Sequence, residues 1–458
     1  MPTRRSFLGH STTAAFGLPL LASATAGAQG AVKTGPLPAL PDISFATREP
    51  FLHRERAQAV LTAEGLDAVV VGEGRNLFYA TNFFPLVERM SLMATTLAVI
   101  PRDLRKPVAL VIPSFSYYYI QSDDGLVPGV QPFVFTEPAG YTDSRRTEDE
   151  PPAADPRLYR LDGEASAREQ RRRAAVEAAA PYTSSMERAL ALALAELGIK
   201  GGRIGYDHGS IPPLLARALP GATAVSAEDT LRRVRLVRTA PEIRMMRLAA
   251  QANVDAALAT VRATREVGTL RALRQRYYAE VAARGNLGVF MVINGVSSEA
   301  YDEPLREGQS FMIDCVSHLR NFHGDYGRTV CVGEPTARMK ACTDAMGRGW
   351  GELQPLLRPG LRFSEVRSLG NDILRRMGTD VPISFGPHSV GLAHNDQPRA
   401  APDGSRQDLV LEKDMILSID CPLFETGRGG TGHLEDLVRI TDSGAEPIHT
   451  VQPAALIA

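Results

Sequence analysis

Five side chains in the C-terminal third of this chain could do chemistry together: Asp314, Asp325, His388, Asp420 and Glu435. Four carboxylates and one imidazole make an oxygen-rich donor set, and brought together they would balance two divalent cations. Two such ions support hydrolysis, by acidifying water and polarising a carbonyl. Taken singly, each acid could be a strand-end residue in solvent. Their common setting argues for a shared partner: Phe311-Met312-Ile313 runs into Asp314, and Met415-Ile416-Leu417-Ser418-Ile419 runs into Asp420. A carboxylate closing an apolar strand costs several kcal/mol of desolvation unless it is paired or coordinates a metal.

The elements that must position these residues show in the hydrophobic rhythm. Asp325 lies just ahead of the strand-like Arg328–Val332, and the polar stretch Ser317–Gly324 would be the loop of a hairpin whose first strand ends at Asp314. Glu435 opens Glu435–Ile440 after the glycine-rich Gly427–Gly432, so two hairpins would each offer two acids. Upstream, Thr239-Ala240-Pro241-Glu242 has a capping threonine, a first-turn proline and an acid, the start of a helix running to about Arg265. The N-terminal half alternates helix and strand: a helix from Phe51 to Gly65, strands at Ala68–Val71, Thr96–Ile100, Val108–Ile112 and Gln131–Phe135, a helix at Ser185–Leu197 and a strand at Arg203–Tyr206. Between them, residues 136–181 are charged and proline-interrupted and read as a solvated insertion.

These motifs resemble the pita-bread metallopeptidases: aminopeptidase P, prolidase, methionine aminopeptidase and their relative creatinase. Asp314 and Asp325, eleven apart, look like the family's two-aspartate metal motif, Pro387-His388-Ser389-Val390-Gly391 like its histidine segment, and His433-Leu434-Glu435-Asp436 like its final acidic motif. Gly65–Val71 and Asn76-Leu77-Phe78-Tyr79 are similar to the creatinase-type N-terminal domain. The resemblance implies an α/β (α+β) fold: a creatinase-like domain at 46–237, then a pita-bread catalytic domain at 238–458. It also implies two divalent ions (Mn, Fe, Co or Zn) held by Asp314, Asp325, His388, Asp420 and Glu435. On this reading a water held between them attacks an amide or peptide bond, Asp420 handles its proton, and His394 touches substrate or a developing oxyanion. A small Xaa-Pro peptide is the implied substrate and a homodimer the implied assembly.

The chain also departs from that pattern. Asp420 stands where the family has glutamate, Pro387 and Ser389 replace glycines, and His388 and His394 are six apart where the family usually has seven. The family's substrate-binding histidine upstream of the first metal aspartate has no counterpart, since no histidine lies between His208 and His318. Five of the nine histidines fall between 318 and 433, and of these His433 shares a strand face with Glu435, which favours it over His318 and His323 for a catalytic role. Two alternatives stay open: a creatinase-like or lyase reaction on the same metals, and a binding protein braced by them.

The N-terminus reads as an export signal. Thr3-Arg4-Arg5-Ser6-Phe7-Leu8 precedes an apolar stretch that ends at Ala26-Gly27-Ala28, so residues 1–28 are expected to be a twin-arginine signal peptide and 29–45 a linker. The mature protein would then be periplasmic or secreted, with no membrane anchor. With 51 basic against 52 acidic side chains the chain has no electrostatic footprint for nucleic acid. Its four cysteines lack metal-site spacing and read as buried thiols, with a Cys315–Cys421 disulfide left open.

Overall fold

The computed structural model describes residues 37–458, apart from 92–93, 121–124, 137–162, 180–181, 379–382, 401–403, 406 and 425–429. The expected signal peptide, the first part of the linker and most of the polar insertion lie outside the described residues. Residues 39–458 form one compact unit that contains two sheets.

The first sheet holds β1 (Ala68–Val71), β2 (Leu97–Pro101), β3 (Val108–Pro113), β4 (Val130–Phe135), β5 (Gly202–Tyr206) and β6 (Ala222–Ser226), in the order β4-β3-β2-β1-β5-β6. It is mixed: β2 runs antiparallel to both neighbours and the other pairs are parallel. β1 is an unbroken apolar run because both its faces are covered: Val69 and Val71 enter one hydrophobic cluster, Ala68 and Val70 another. The helices of this half are α1 (Arg54–Ala63), α2 (Gly74–Thr81), α3 (Ser114–Ile120), α4 (Ala167–Ala178), α5 (Met186–Glu196), α6 (Ile211–Ala218) and α7 (Glu228–Arg235). α4 carries Arg171, Arg172 and Arg173, so part of the insertion read only as solvated polar chain is helical.

The second sheet holds β7 (Leu287–Ile293), β8 (Ser310–Leu319), β9 (Phe322–Cys331), β10 (Gly386–Ser389), β11 (Ile416–Leu423), β12 (Gly432–Thr441), β13 (Gly444–Pro447) and β14 (Ala455–Ile457). Its main path is β10-β11-β12-β9-β8-β7, with β13 on β12 and β14 parallel to β9. Around it lie α8 (Ala240–Arg262), α9 (Thr264–Val267), α10 (Leu270–Ala283), α11 (Ala337–Leu353) and α12 (Phe363–Arg376). α8 starts as its sequence requires: Glu242 N donates to Thr239 Oγ1 at 3.4 Å, and Thr239 N donates to Glu242 Oε2 at 2.9 Å. The two halves meet through aromatic packing, Phe51 lying 4.9 Å and Phe78 6.0 Å from Phe322, centroid to centroid.

The β8–β9 hairpin differs from the sequence expectation. Ser317–Gly324 is not a loop; both strands run through it and pair down to Leu319 with Phe322. The turn is only Arg320 and Asn321, at φ 48° and 70°, the left-handed pair that a two-residue hairpin of right-handed twist demands. Nor do the acids end their strands. Asp314, Asp325, Asp420 and Glu435 all sit inside strands, because one face of the sheet carries polar groups along its length while the other stays in the core.

Candidate metal centre

Strand register brings the five residues onto one face. Asp314 pairs with Gly327 across β8 and β9, Gly327 with Glu435 across β9 and β12, Glu435 with Asp420 across β12 and β11, and Asp420 with Gly386 across β11 and β10. Asp325 is two residues from Gly327, His388 two from Gly386 and His433 two from Glu435, so alternation turns all of them the same way. This continuous row across five strands is the scaffold of the site. The adjacent cysteines face away: Cys315 and Cys421 are free, buried and in separate hydrophobic clusters, and the open disulfide between them is not formed.

The side chains converge closely. His388 Nε2 lies 3.4 Å from Asp420 Oδ2, 3.6 Å from Asp325 Oδ2 and 3.8 Å from Glu435 Oε1. His394 Nε2 is 3.0 Å from Asp325 Oδ2, and His433 Nε2 is 3.1 Å from Glu435 Oε2. Asp325 and Glu435 are buried, whereas the side chains of Asp420 and His394 are 31% and 34% exposed and mark the open side. Ser418 Oγ donates to Glu435 Oε1 at 2.6 Å, a support missed in the sequence reading, although its place two residues before Asp420 puts it on the same strand face.

This donor set suits divalent cations. Asp314 Oδ1 and His388 Nδ1 are buried without hydrogen-bond partners among the described residues, and neither Asp325 oxygen accepts a well-aligned hydrogen bond. Buried polar atoms are rarely left this way unless something else binds them. Without cations the acids repel. Burial and then Glu435 push Asp420 up to about 12 and Asp314 well above the carboxylate range, while Asp420, His388 and His433, close around Glu435, overcome burial and hold it low. His394 goes up to about 9: burial opposes its charge, but Asp325 beside it outweighs burial.

The other candidate histidines separate here. His318 and His323 pair across the hairpin with rings 5.3 Å apart, and His323 Nδ1 is tied to backbone carbonyls of Asn321 and Gly391 at 2.9 and 3.2 Å. Burial and His318 drive His323 down to about 4, so it serves as a neutral structural group. Tyr301 is exposed and hydrogen-bonds Glu303.

A buried charge network that crosses between the halves holds the His394 loop. Asp396 meets Arg235 Nη2 at 2.8 Å and Arg238 Nη2 at 3.3 Å, and its Oδ2 accepts from Leu392 N at 3.2 Å. Burial alone would raise Asp396, but Arg235 and Arg238 hold it well below the usual range. Gly391 makes room for this pair, since a Cβ there would lie 2.1 Å from Arg238 Nη2.

Comparison with known proteins bears on the family and the fold. Residues 244–442 match the description of metallopeptidase family M24. The "Probable dipeptidase PepE" of Mycobacterium bovis is 29% identical over 245 residues, covering 51% of this chain and 64% of that protein. Among solved structures, X-Pro aminopeptidase from Thermotoga maritima superposes with a TM-score of 0.63 at 15% identity, over 88% of this chain and 100% of that one. Dipeptidase PepE from Mycobacterium ulcerans does so at 0.56 and 19% identity, over 92% and 99%. The fold expected from the motifs is therefore the fold observed.

Proposed function

We propose that this chain, whose residues 244–442 match metallopeptidase family M24, is a metal-dependent hydrolase of small peptides, with Xaa-Pro dipeptides and N-terminal Xaa-Pro peptides as its substrate class. The row of carboxylates and imidazoles on one sheet face, in which Asp314, Asp325 and His388 present buried atoms without hydrogen-bond partners among the described residues, carries this reading. Two divalent ions, drawn from Mn, Fe, Co or Zn, would supply Lewis-acid activation of water and of the scissile carbonyl. Asp420, at the open side, would take a proton from the attacking water, a role its exposure supports. His394 would hydrogen-bond the substrate oxygen on which charge develops, a role its partial exposure beside Asp325 supports. Asp314, Asp325, Asp420 and Glu435 would hold the ions, with His388 as a nitrogen ligand.

Beside the His394 loop lies a cavity of about 940 Å³ whose walls include Ala393, Asn395 and four arginines: Arg75, Arg232, Arg367 and Arg399. Glu73 engages Arg75 and Glu228 engages Arg232, whereas the guanidinium groups of Arg367 and Arg399 have no hydrogen bond or ion pair among the described residues. Such charge suits the free carboxylate of a dipeptide. The test is metal analysis of the mature protein together with turnover of Xaa-Pro dipeptides and their C-terminal amides. We expect two ions per chain, and about tenfold slower turnover for the amides or after Arg367→Gln, a difference of about 1.4 kcal/mol. Less than one ion per chain would overturn the reading, and two ions without peptide turnover would move it to another reaction on the same centre.

We also propose export by the twin-arginine route, from the Arg4-Arg5 motif and the Ala28 site. Protein recovered from the periplasm should begin after Ala28; an intact N-terminus confined to the cytoplasm would count against it.

A further inference from the structure

We propose that His433 is itself a metal ligand, serving the ion on the Asp314 side of the centre, so that each of the two ions has an imidazole of its own. This rests on the metal-centre reading above and reassigns a residue that its sequence position suggested for contact with substrate.

Burial argues first against the substrate role. His433 is 3% exposed, so a substrate entering from the open side of the sheet cannot reach it. The imidazole instead covers Gly327 of β9. A Cβ at Gly327 would stand 2.1 Å from His433 Cδ2 and 2.5 Å from Nε2. Gly327 is the middle member of the row Asp314–Gly327–Glu435, so its missing side chain is the space through which the ring spans from β12 toward β8.

The donors match an ion in number and spacing. One donor atom from each of Asp314, His433 and Glu435 lies within 4.8 Å of the other two, and a separate trio, His388, Asp420 and Glu435, does the same. Bonds of about 2.0–2.2 Å to a first-row ion bring ligands to about 3–4.4 Å from one another, so each trio needs only a small contraction. These two trios share only Glu435, which would bridge the ions, while a third group, Asp325, His388 and His394, joins the His388 side. Protein packing also leaves His433 incomplete: Nε2 faces a carboxylate that is itself a candidate ligand, and Nδ1 is buried with no hydrogen-bond partner among the described residues. A second imidazole would shift preference toward ions that favour nitrogen, Zn, Co and Fe, over Mn.

The test is uptake of Co(II) by the metal-free full chain, followed by metal analysis and visible absorption. The wild type should take up two ions. His433→Asn and His433→Gln should keep one and bind the second at least about tenfold more weakly, with the loss of one ion's absorption bands. His388→Asn should weaken the other ion. Both His433 variants taking up two ions with wild-type affinity and spectrum would overturn the proposal, even if turnover fell. A wild-type chain that takes up no Co(II) would instead sink the metal-centre reading itself, so the two failures are distinguishable.

Discussion

Asp325→Ala should empty the metal centre and abolish turnover without unfolding the protein. Asp325 is fully buried, its oxygens accept no well-aligned hydrogen bond, and its Oδ2 lies within 3.6 Å of both His388 Nε2 and His394 Nε2. Losing it removes the carboxylate that groups with His388 and His394. Turnover should fall about a thousandfold or more, since Lewis-acid stabilisation of the transition state contributes several kcal/mol. The metal-free variant should be at least as stable as the metal-free wild type, because burial and Glu435 already disfavour the charged form of Asp325. Metal analysis, a peptide assay and thermal unfolding with and without metal check all three. Full metal occupancy in the variant would show that Asp325 is not a ligand.

Asp396→Asn should cost about 3–5 kcal/mol of stability, a large share of the roughly 5–15 kcal/mol that holds a folded protein together. The substitution is nearly isosteric, yet it strips the counter-charge from Arg235 and Arg238, whose side chains are 4% and 0% exposed. Glu242, 3.6 Å from Arg238, is the remaining acid, and burial pushes it up to about 7, which makes it a poor substitute. The folded-state value of Asp396 lies below its unfolded one. Its contribution is therefore present above about pH 4 and is lost as acid protonates it, so wild type and variant should converge in stability at low pH. Denaturant unfolding at neutral and acid pH measures this; a difference below about 1 kcal/mol at pH 7 would refute it. Turnover should fall too, since the backbone that carries His394 is bonded to this carboxylate.

Much of the site was legible in the chain because its signals are local. An acid inside or closing an apolar run is conspicuous wherever it stands, and the spacing of Asp314, Asp325, His388, Asp420 and Glu435 carried the family resemblance. Thr239-Ala240-Pro241-Glu242 announced α8 because a capping box is complete within four residues. The hairpin turn was misread because polar residues at 317–324 look like a loop when their outer face is not known to be a binding face. Only pairing Leu319 with Phe322 showed that the strands continue.

What the sequence by itself determined was the chemistry: which side chains are present, in what order, and that they are too costly to bury without a partner. The tertiary structure decided their company. No local pattern could indicate that Gly327 on β9 clears the space over which His433 of β12 leans toward Asp314 of β8. Nor could it show that arginines at the end of α7 and just beyond it brace the loop of His394 through Asp396. These are contacts between residues far apart in the chain, selected by sheet register and by the balance of buried charge, and both exist only once the strands are paired and the halves are packed.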